Sequence, residues 1–552
     1  MGPGSSPSLL SFRAPRTTRR RTRQLAVAVL APVLVLSACT QDDDWTGPEQ
    51  VDAAAGSSAD GSPSVDAAAV EAALGHLDAD VAEVMQRSGV PGMAVAVVYD
   101  GEVVHAEGYG VRELGRPEPV DADTVFQLAS VSKSVGSAVM ASMVGDGIIS
   151  WDEPVRTGDP DLALGDPWVS EHVTYADLYA HRSGLPDHAG DLLEDLGYDR
   201  AQVIERLRYE PLGPFRSSYH YTNFGLTAAA DAAATRAGTT WEQASRARLY
   251  EPLGMTSTSS TFEEFMARPN RAVGHVLTSA DSTEWQVTPE QREPDAQSPA
   301  GGVSSSVNDL TRWMQLEIDG GELDGEVVVD PEALAATQLP QVVSNPPSAP
   351  GARAGFYGLG LNVSYDAAGR LRLGHSGAFA LGAGTAFSLI PSERLGIVAL
   401  TNGMPMGMAE AVVETFLDRV TTGAPRRDWL GALGEYFEPL LFPEPETDFD
   451  TPPAAATPAL PLSAYTGTYR NDYLGDAEIV EADGELVLVI GPSAQRYPLT
   501  HFDGNEFSWQ FAGENAGARS AAAFEVDPAG AGVTAVTLAV FDENGLGRLV
   551  RV

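Results

Sequence analysis

The chain has 552 residues, 43% of them hydrophobic and 20% charged, which is more than one ordinary domain uses and enough to fill two cores. Its formal charge of −41 is the wrong sign for nucleic-acid binding, which needs a basic face; it describes a solvated, self-repelling surface instead. A single cysteine excludes any disulfide within the chain.

The first 38 residues contain six Arg and no acid, so the acidity belongs to everything after them. "RAPRTTRRRTRQ" precedes "LAVAVLAPVLVLSA", 14 uncharged residues that are too short to span a bilayer comfortably, and residues 1–38 therefore read as an export signal. Leu36, Ser37, Ala38 and Cys39 resemble the bacterial lipobox. The resemblance implies cleavage before Cys39 and lipidation of its thiol, which would hold the protein on the outer face of the cell membrane. A buried structural cysteine is the bland alternative, but the polar run "TQDDDWTGPEQ" follows at once. Arg19, Arg20 and Arg21 leave twin-arginine export open. Residues 39–66 are acidic, rich in Gly, Ser and Ala and without periodicity, which describes a flexible tether.

A first globular unit is expected over 67–438. "VDAAAVEAALGHLDADVAEVMQRSGV" has apolar residues at helical spacing and stops near a glycine. Two β-rich runs follow, joined at Asp100-Gly101, a hairpin signal. Next comes "FQLASVSKSV", which holds Lys133, the only lysine in a chain whose other 34 basic residues are Arg. Arginine serves equally well for surface charge, but it stays protonated up to a pKa of about 12 and above, whereas a buried lysine can be tuned toward neutrality. Lys133 is thus a candidate proton acceptor. Ser130 lies three residues earlier, at the expected start of a helix, and i and i+3 side chains share a face. A serine there has a free backbone N–H and a helix dipole that favours developing negative charge, the needs of an activated nucleophile. Chance alone would put Ser three places before a lone Lys about one time in fifteen on ordinary composition, so the pair needs partners elsewhere.

The partners stand downstream. Tyr221-Thr222-Asn223 precedes a helical run, 91 residues after Ser130, and Gly374-His375-Ser376-Gly377 opens a β-rich run expected to begin an edge strand. In this order SxxK, YxN and a [KH][ST]G triplet resemble the serine β-lactamase and penicillin-binding protein superfamily, in its class C, DD-peptidase and family VIII esterase branch. "VTYADLYAHRSGLPDH", "YEPLGMTSTSS", "SPAGGVSSSVNDLTRWMQ" and "YGLGLNV" extend the resemblance over roughly residues 68–425. It implies an α+β catalytic domain, an antiparallel sheet flanked by helices with a helical subdomain. It further implies Ser130 as nucleophile, Lys133 as its base, Tyr221 as proton relay, and Asn223, His375, Ser376 and Gly377 as substrate contacts. The N–H groups of Ser130 and Ala378 would form the oxyanion hole, and no metal or cofactor is implied. His375 departs from the lysine that many β-lactamases carry there: with an unperturbed pKa of about 6.5 it would be mostly neutral. That weakens the hold on a substrate carboxylate.

Other catalytic patterns are missing. "GHSGA" misses a GxSxG elbow by one residue, there is no HExxH, and His181 and His188 read better as turn and loop residues than as metal ligands. Tyr219 rivals Tyr221 but lacks an Asn two places on. After a Pro/Ala/acidic linker at 439–460, residues 461–552 alternate as short strands, with hairpin signals at Asp483-Gly484 and Asn544-Gly545. They suggest a small all-β barrel or curled sheet, resembling the lipocalin-like accessory domain of such hydrolases. Two readings remain: a membrane-anchored serine hydrolase of esters or D-amino-acid peptides, with β-lactams as substrates or inhibitors, or a penicillin- or peptidoglycan-binding sensor with little turnover. The sequence leaves the oligomeric state open.

Overall fold

The computed structural model describes residues 65–552 except 280–281, 283, 444, 446 and 528–531. Cys39, the export signal and nearly all of the tether lie outside the described residues.

Helix α1 (Ala67–Ser88) starts where Asp66 accepts a hydrogen bond from the Ala69 N–H, and stops at Gly89, whose φ of 71° lets its own N–H reach back to Met85. Strands β1 (Gly92–Tyr99) and β2 (Glu102–Gly110) are joined by Asp100 and Gly101 at φ 49° and 84°, the paired left-handed residues of a tight hairpin turn. Helix α2 (Val131–Gly145) follows. A helical region then runs through α3 (Asn223–Arg236) to α4 (Val307–Ile318). The chain returns to the sheet as β3 (Val342–Asn345), β4 (Gly355–Tyr357), β5 (Asn362–Tyr365), β6 (Leu371–Phe379), β7 (Ala383–Ile390) and β8 (Leu395–Thr401). Helices α5 (Met408–Thr422) and α6 (Trp429–Leu441) close the unit.

The eight strands form one antiparallel sheet in the order β2-β1-β8-β7-β6-β5-β4-β3. Strand β1 is apolar throughout because both faces are covered. Met93, Val95 and Val97 pack with α1 and α5, while Ala94, Ala96 and Val98 face the cluster that contains α2 and α4. The fold is the α+β arrangement expected, with one correction. Strand β6, which carries Gly374 to Gly377, is interior rather than at the edge. Its pairing with β5 nevertheless ends at the Asn362–Gly374 pair, so from His375 onward one side of β6 is open to the helices.

The C-terminal unit is a closed barrel of eight strands: β9 (Gly467–Asn471), β10 (Gly475–Ala482), β11 (Glu485–Ile490), β12 (Gln495–Asp503), β13 (Glu506–Trp509), β14 (Ser520–Val526), β15 (Val533–Leu538) and β16 (Arg548–Arg551). Pairing of β9 with β16 closes it and removes both edges. Asp483-Gly484 makes the expected two-residue turn, at φ 53° and 84°. Asn544-Gly545 does not: it sits inside the longer 539–547 connection, where Asn544 Nδ2 donates to Glu210 of the first unit at 3.2 Å.

The barrel is docked on the helical region by buried polar contacts. Tyr473 OH donates to Glu210 Oε1 (2.6 Å) and Tyr198 OH to the Leu474 carbonyl (2.7 Å). Asp195 accepts from the N–H groups of Glu514 and Asn515 and from the Asn515 side chain. Glu210 and Tyr473 are both buried, so removing the donor strands a desolvated carboxyl oxygen. Tyr473→Phe is expected to lower the unfolding free energy by roughly 1–3 kcal/mol in urea titrations, while the same change at exposed Tyr209 stays within about 0.5 kcal/mol.

Candidate active site

Ser130 is the N-cap of α2, as the sequence predicts, and its N–H makes no hydrogen bond among the described residues. Ala129 before it is held at φ 47°, a left-handed conformation that an alanine adopts only under constraint. One turn into α2, Lys133 is fully buried. Its Nζ lies 3.0 Å from Ser130 Oγ, 2.7 Å from Asn223 Oδ1 and 2.9 Å from the Ala300 carbonyl. Tyr221 OH lies 2.9 Å from the same Ser130 Oγ, and its ring lies under the amine at 4.6 Å. Tyr219, the rival in sequence, has no hydrogen-bond partner for its hydroxyl among the described residues, and its ring packs at a tilt against Tyr357.

Burial decides the protonation states. It pushes the Lys133 amine well below its ordinary pKa, opposed only by the charge of Asp191, and pushes the Tyr221 phenol well above its own. Burial therefore favours the neutral form of both groups. A neutral amine has two N–H donors and one lone pair, which matches two acceptors, Asn223 Oδ1 and the Ala300 carbonyl, and one donor, the Ser130 hydroxyl. The chain of protons then runs from Tyr221 O–H to Ser130 O–H to the Lys133 lone pair.

Strand β6 closes the other side. A Cβ on Gly377 would meet the Leu128 carbonyl at 2.1 Å and the Ser130 nitrogen at 3.0 Å, so glycine is what lets the strand reach the serine. Ser376 and Ala378 line the same cleft as Ser130 and Asn223. His375 stands apart from that wall. It is 2% exposed, with Nε2 2.9 Å from Tyr357 OH and Nδ1 2.6 Å from the Ser376 carbonyl, so both ring nitrogens are used inside the protein. Burial holds it neutral, with a pKa of about 3.

Several residues of the site are given no role by the sequence. Asp191 accepts from Asn223 Nδ2 (2.7 Å) and lies 3.0 Å from His188 Nδ1, fixing the amide that fixes the amine. Asp187 takes the Tyr221 N–H at 2.6 Å. His181, at φ 55°, accepts the Thr222 N–H, and its ring packs at a tilt against Tyr221 with centroids 4.4 Å apart. The far wall belongs to the barrel: Glu514, Asn515 and Ala516 line the cleft that opens over Ser130. Glu514 accepts from the Ala380 N–H just past β6 at 2.5 Å.

Comparison with known proteins agrees with this geometry. The beta-lactamase family model matches residues 77–420, and a domain of unknown function, DUF3471, matches 451–546. The unguisins hydrolase of Aspergillus violaceofuscus is 28% identical over 74% of this chain and 77% of its own. Penicillin-binding protein 4 of Amycolatopsis lactamdurans is 28% identical over 69% of this chain and 94% of its own, and the D-aminopeptidase of Brucella anthropi 28% over 54% of each. The octameric penicillin-binding protein homologue from Pyrococcus abyssi superposes with a TM-score of 0.56 at 20% identity, over 87% of this chain and all of that one, a likeness of fold. Since the family match takes in more than half of the chain and every element that carries Ser130, Lys133, Tyr221 and Asn223, the protein belongs to the beta-lactamase family, among relatives named as hydrolases.

Proposed function

We propose that this protein is a serine hydrolase, exported and anchored through a lipid on Cys39, that forms an acyl-enzyme on Ser130 with an ester or a D-amino-acid peptide as acyl donor. The observation that carries the reading is Ser130 Oγ held at once by a buried neutral amine at 3.0 Å and a protonated phenol at 2.9 Å. As Oγ bonds to the carbonyl carbon, its proton passes to the Lys133 lone pair. The new ammonium finds three acceptors already in place, the field of Asp191 and the face of the Tyr221 ring. The negative charge on the former carbonyl oxygen falls to the N–H groups of Ser130 and Ala378, where one donor is worth about 3 kcal/mol of transition-state stabilisation. Tyr221 then gives its proton to the leaving oxygen or nitrogen as that bond breaks, and recovers one from Lys133. Water enters by the reverse relay and releases the acid.

The raised pKa of Tyr221 argues against a resting phenolate as the base and leaves Lys133 in that role. Asn223 spends its amide on Lys133 and Asp191, which favours a positioning role beside any contact with substrate.

Replacing the base tests the reading most directly. Ser130→Ala and Lys133→Arg are each expected to cut kcat/KM for a short-chain p-nitrophenyl ester by about 10²-fold or more and to abolish the acyl adduct seen by intact mass spectrometry. Full activity in Lys133→Arg would remove the lysine from the mechanism, and a persistent adduct without turnover would favour the sensor reading. Because Lys133 acts only when neutral, kcat/KM should rise with pH through its lowered pKa and be lost below it, while His375, with a pKa of about 3, adds no limb of its own in the neutral range. For the anchor, Cys39→Ser should move the protein from the membrane to the soluble fraction of cells; retention in the membrane would sink lipidation at that residue.

A further inference from the structure

Behind β6 lies a second, smaller cavity, and Ser376 is a wall it shares with the cleft over Ser130. Pairing of β5 with β6 ends at Gly374, so β5 no longer covers the strand there, and the first turn of α5 brings Glu410 to the far side. Glu410 is 4% exposed and takes no part in the relay around Ser130. Two oxygens on this cavity have no hydrogen-bond partner among the described residues, Glu410 Oε1 and Asn362 Oδ1.

The charges around Glu410 do not balance. Among the described residues that line the cavity the only cation is Arg372, and it is committed: both terminal nitrogens go to Glu414, and Nε donates to Ser388 Oγ at 2.7 Å. His375 is neutral with both ring nitrogens engaged. Strands β5 and β7 and helix α6 bring no charged side chain to the cavity, and Asp80 of α1 is held by Arg419 further along α5. Glu410 is the acid left without a cation. Burial pushes its carboxyl up to about 7, and Glu414 adds to the rise, while hydrogen bonding from its own N–H and from the Ser376 side chain works against it. Both forms are therefore populated near neutral pH.

A serine hydroxyl has one hydrogen to give. An ionised Glu410 only accepts, so it draws that hydrogen away from the cleft, and Ser376 then shows substrate its lone pairs with a negative charge behind them. A protonated Glu410 has a hydrogen of its own for Asn362 Oδ1 or Ser376 Oγ, and the Ser376 hydrogen is free to turn into the cleft. The cations that could otherwise receive a carboxylate are spent: Lys133 is buried and bonded, and Arg292 is paired with Glu194.

We propose that Glu410 is a positioning residue that sets, through Ser376, which end group of the acyl donor the cleft accepts: a carboxylate while Glu410 holds its proton, and a neutral group bearing an N–H once the proton is lost. The inference rests on Ser130 acylation, with Ser376 as a substrate contact, and deepens that reading by naming what selects between a free and an amidated terminus.

The test follows kcat/KM for N-acetyl-D-alanyl-D-alanine and for its C-terminal amide on the full chain from about pH 5.5 to about pH 8.5. The ratio of the two removes the titration of Lys133, which both donors share, and the substrate carboxylate stays ionised throughout, its own pKa being about 3.3–3.7. The carboxylate-to-amide ratio is expected to fall at least about tenfold with rising pH, since one hydrogen bond to a charged group is exchanged for repulsion, with its midpoint at about 7. Glu410→Gln keeps a donor beside Ser376 and cannot ionise, so it should hold the ratio at its low-pH value; Ser376→Ala should hold it near the high-pH value. A merely structural role for Glu410 would lower both donors alike and leave the slope intact. A ratio independent of pH, or a slope that survives in Glu410→Gln, overturns the inference, and where that variant does not fold, a slope that survives in Ser376→Ala does the same. Should neither donor be turned over, the acylation reading fails separately. Calorimetry with N-acetyl-D-alanine against N-acetyl-D-alaninamide at the two ends of the pH range then decides: a preference for the carboxylate that disappears at high pH sustains the role of Glu410, and pH-independent binding or none ends it.

Discussion

Everything in the catalytic domain turns on keeping one amine dry. Lys133 is the only lysine of the chain and is wholly inside it, and burial of an ammonium without full compensation is unfavourable enough that the group gives up its proton instead. The same burial moves Tyr221 in the opposite direction, because desolvation penalises whichever form is charged. One physical cause thus prepares both a base and an acid on either side of Ser130. The cost appears as stability. A lysine whose folded pKa is depressed costs nothing above its unfolded value of about 10.4; below that, stability falls by about 1.4 kcal/mol per pH step of one until the folded value is reached. The large core must cover that loss, together with the strained Ala129 that sets Ser130 at the head of α2.

The supporting shell follows from the same demand. Asn223 holds the amine, Asp191 holds Asn223, and Asp187 and His181 hold the backbone of the Tyr221 turn. Gly360 lies so close to α2 that a Cβ there would be 2.7 Å from the Lys133 carbonyl, and Ser134 and Ser137 donate to the carbonyls of Gly360 and Leu359. The small residues of "SVSKSVGSAVMAS", which give this helix little amphipathic contrast, are there because it is packed on every side.

How much of this the sequence discloses depends on range. Ser130 and Lys133 are three residues apart on one helix, so their meeting is local geometry and is legible. Tyr221 is distinguished from Tyr219 only by the Asn two places on, and that Asn is what binds the lysine. The interior position of β6 is not legible, because an apolar run reports burial and not the order of its neighbours, which includes the short β5 that leaves half of β6 open. Asn544-Gly545 carries a hairpin signal, yet its Asn is drawn to Glu210, 334 residues earlier. Asp191 and Glu514 are invisible for the same reason. One lies in an ordinary acidic helix and the other in a loop of a second domain, and nothing periodic marks a contact such as Asp195 with Asn515, which spans 320 residues.

The lone lysine is also explained by what arginine would do in its place. The niche at Nζ supplies two acceptors besides Ser130, enough for a neutral amine whose lone pair takes the serine proton. A guanidinium brings five donors and a charge that does not leave below a pKa of about 12, so it would strand N–H groups in a dry site and offer no lone pair to the hydroxyl. Substitution to arginine elsewhere on the surface is nearly free, because solvent satisfies either side chain. The position that resists the exchange is the one where solvent is absent and the charge has to be given up. The residue kept against the composition of the whole chain is therefore the residue whose protonation state the fold has to control.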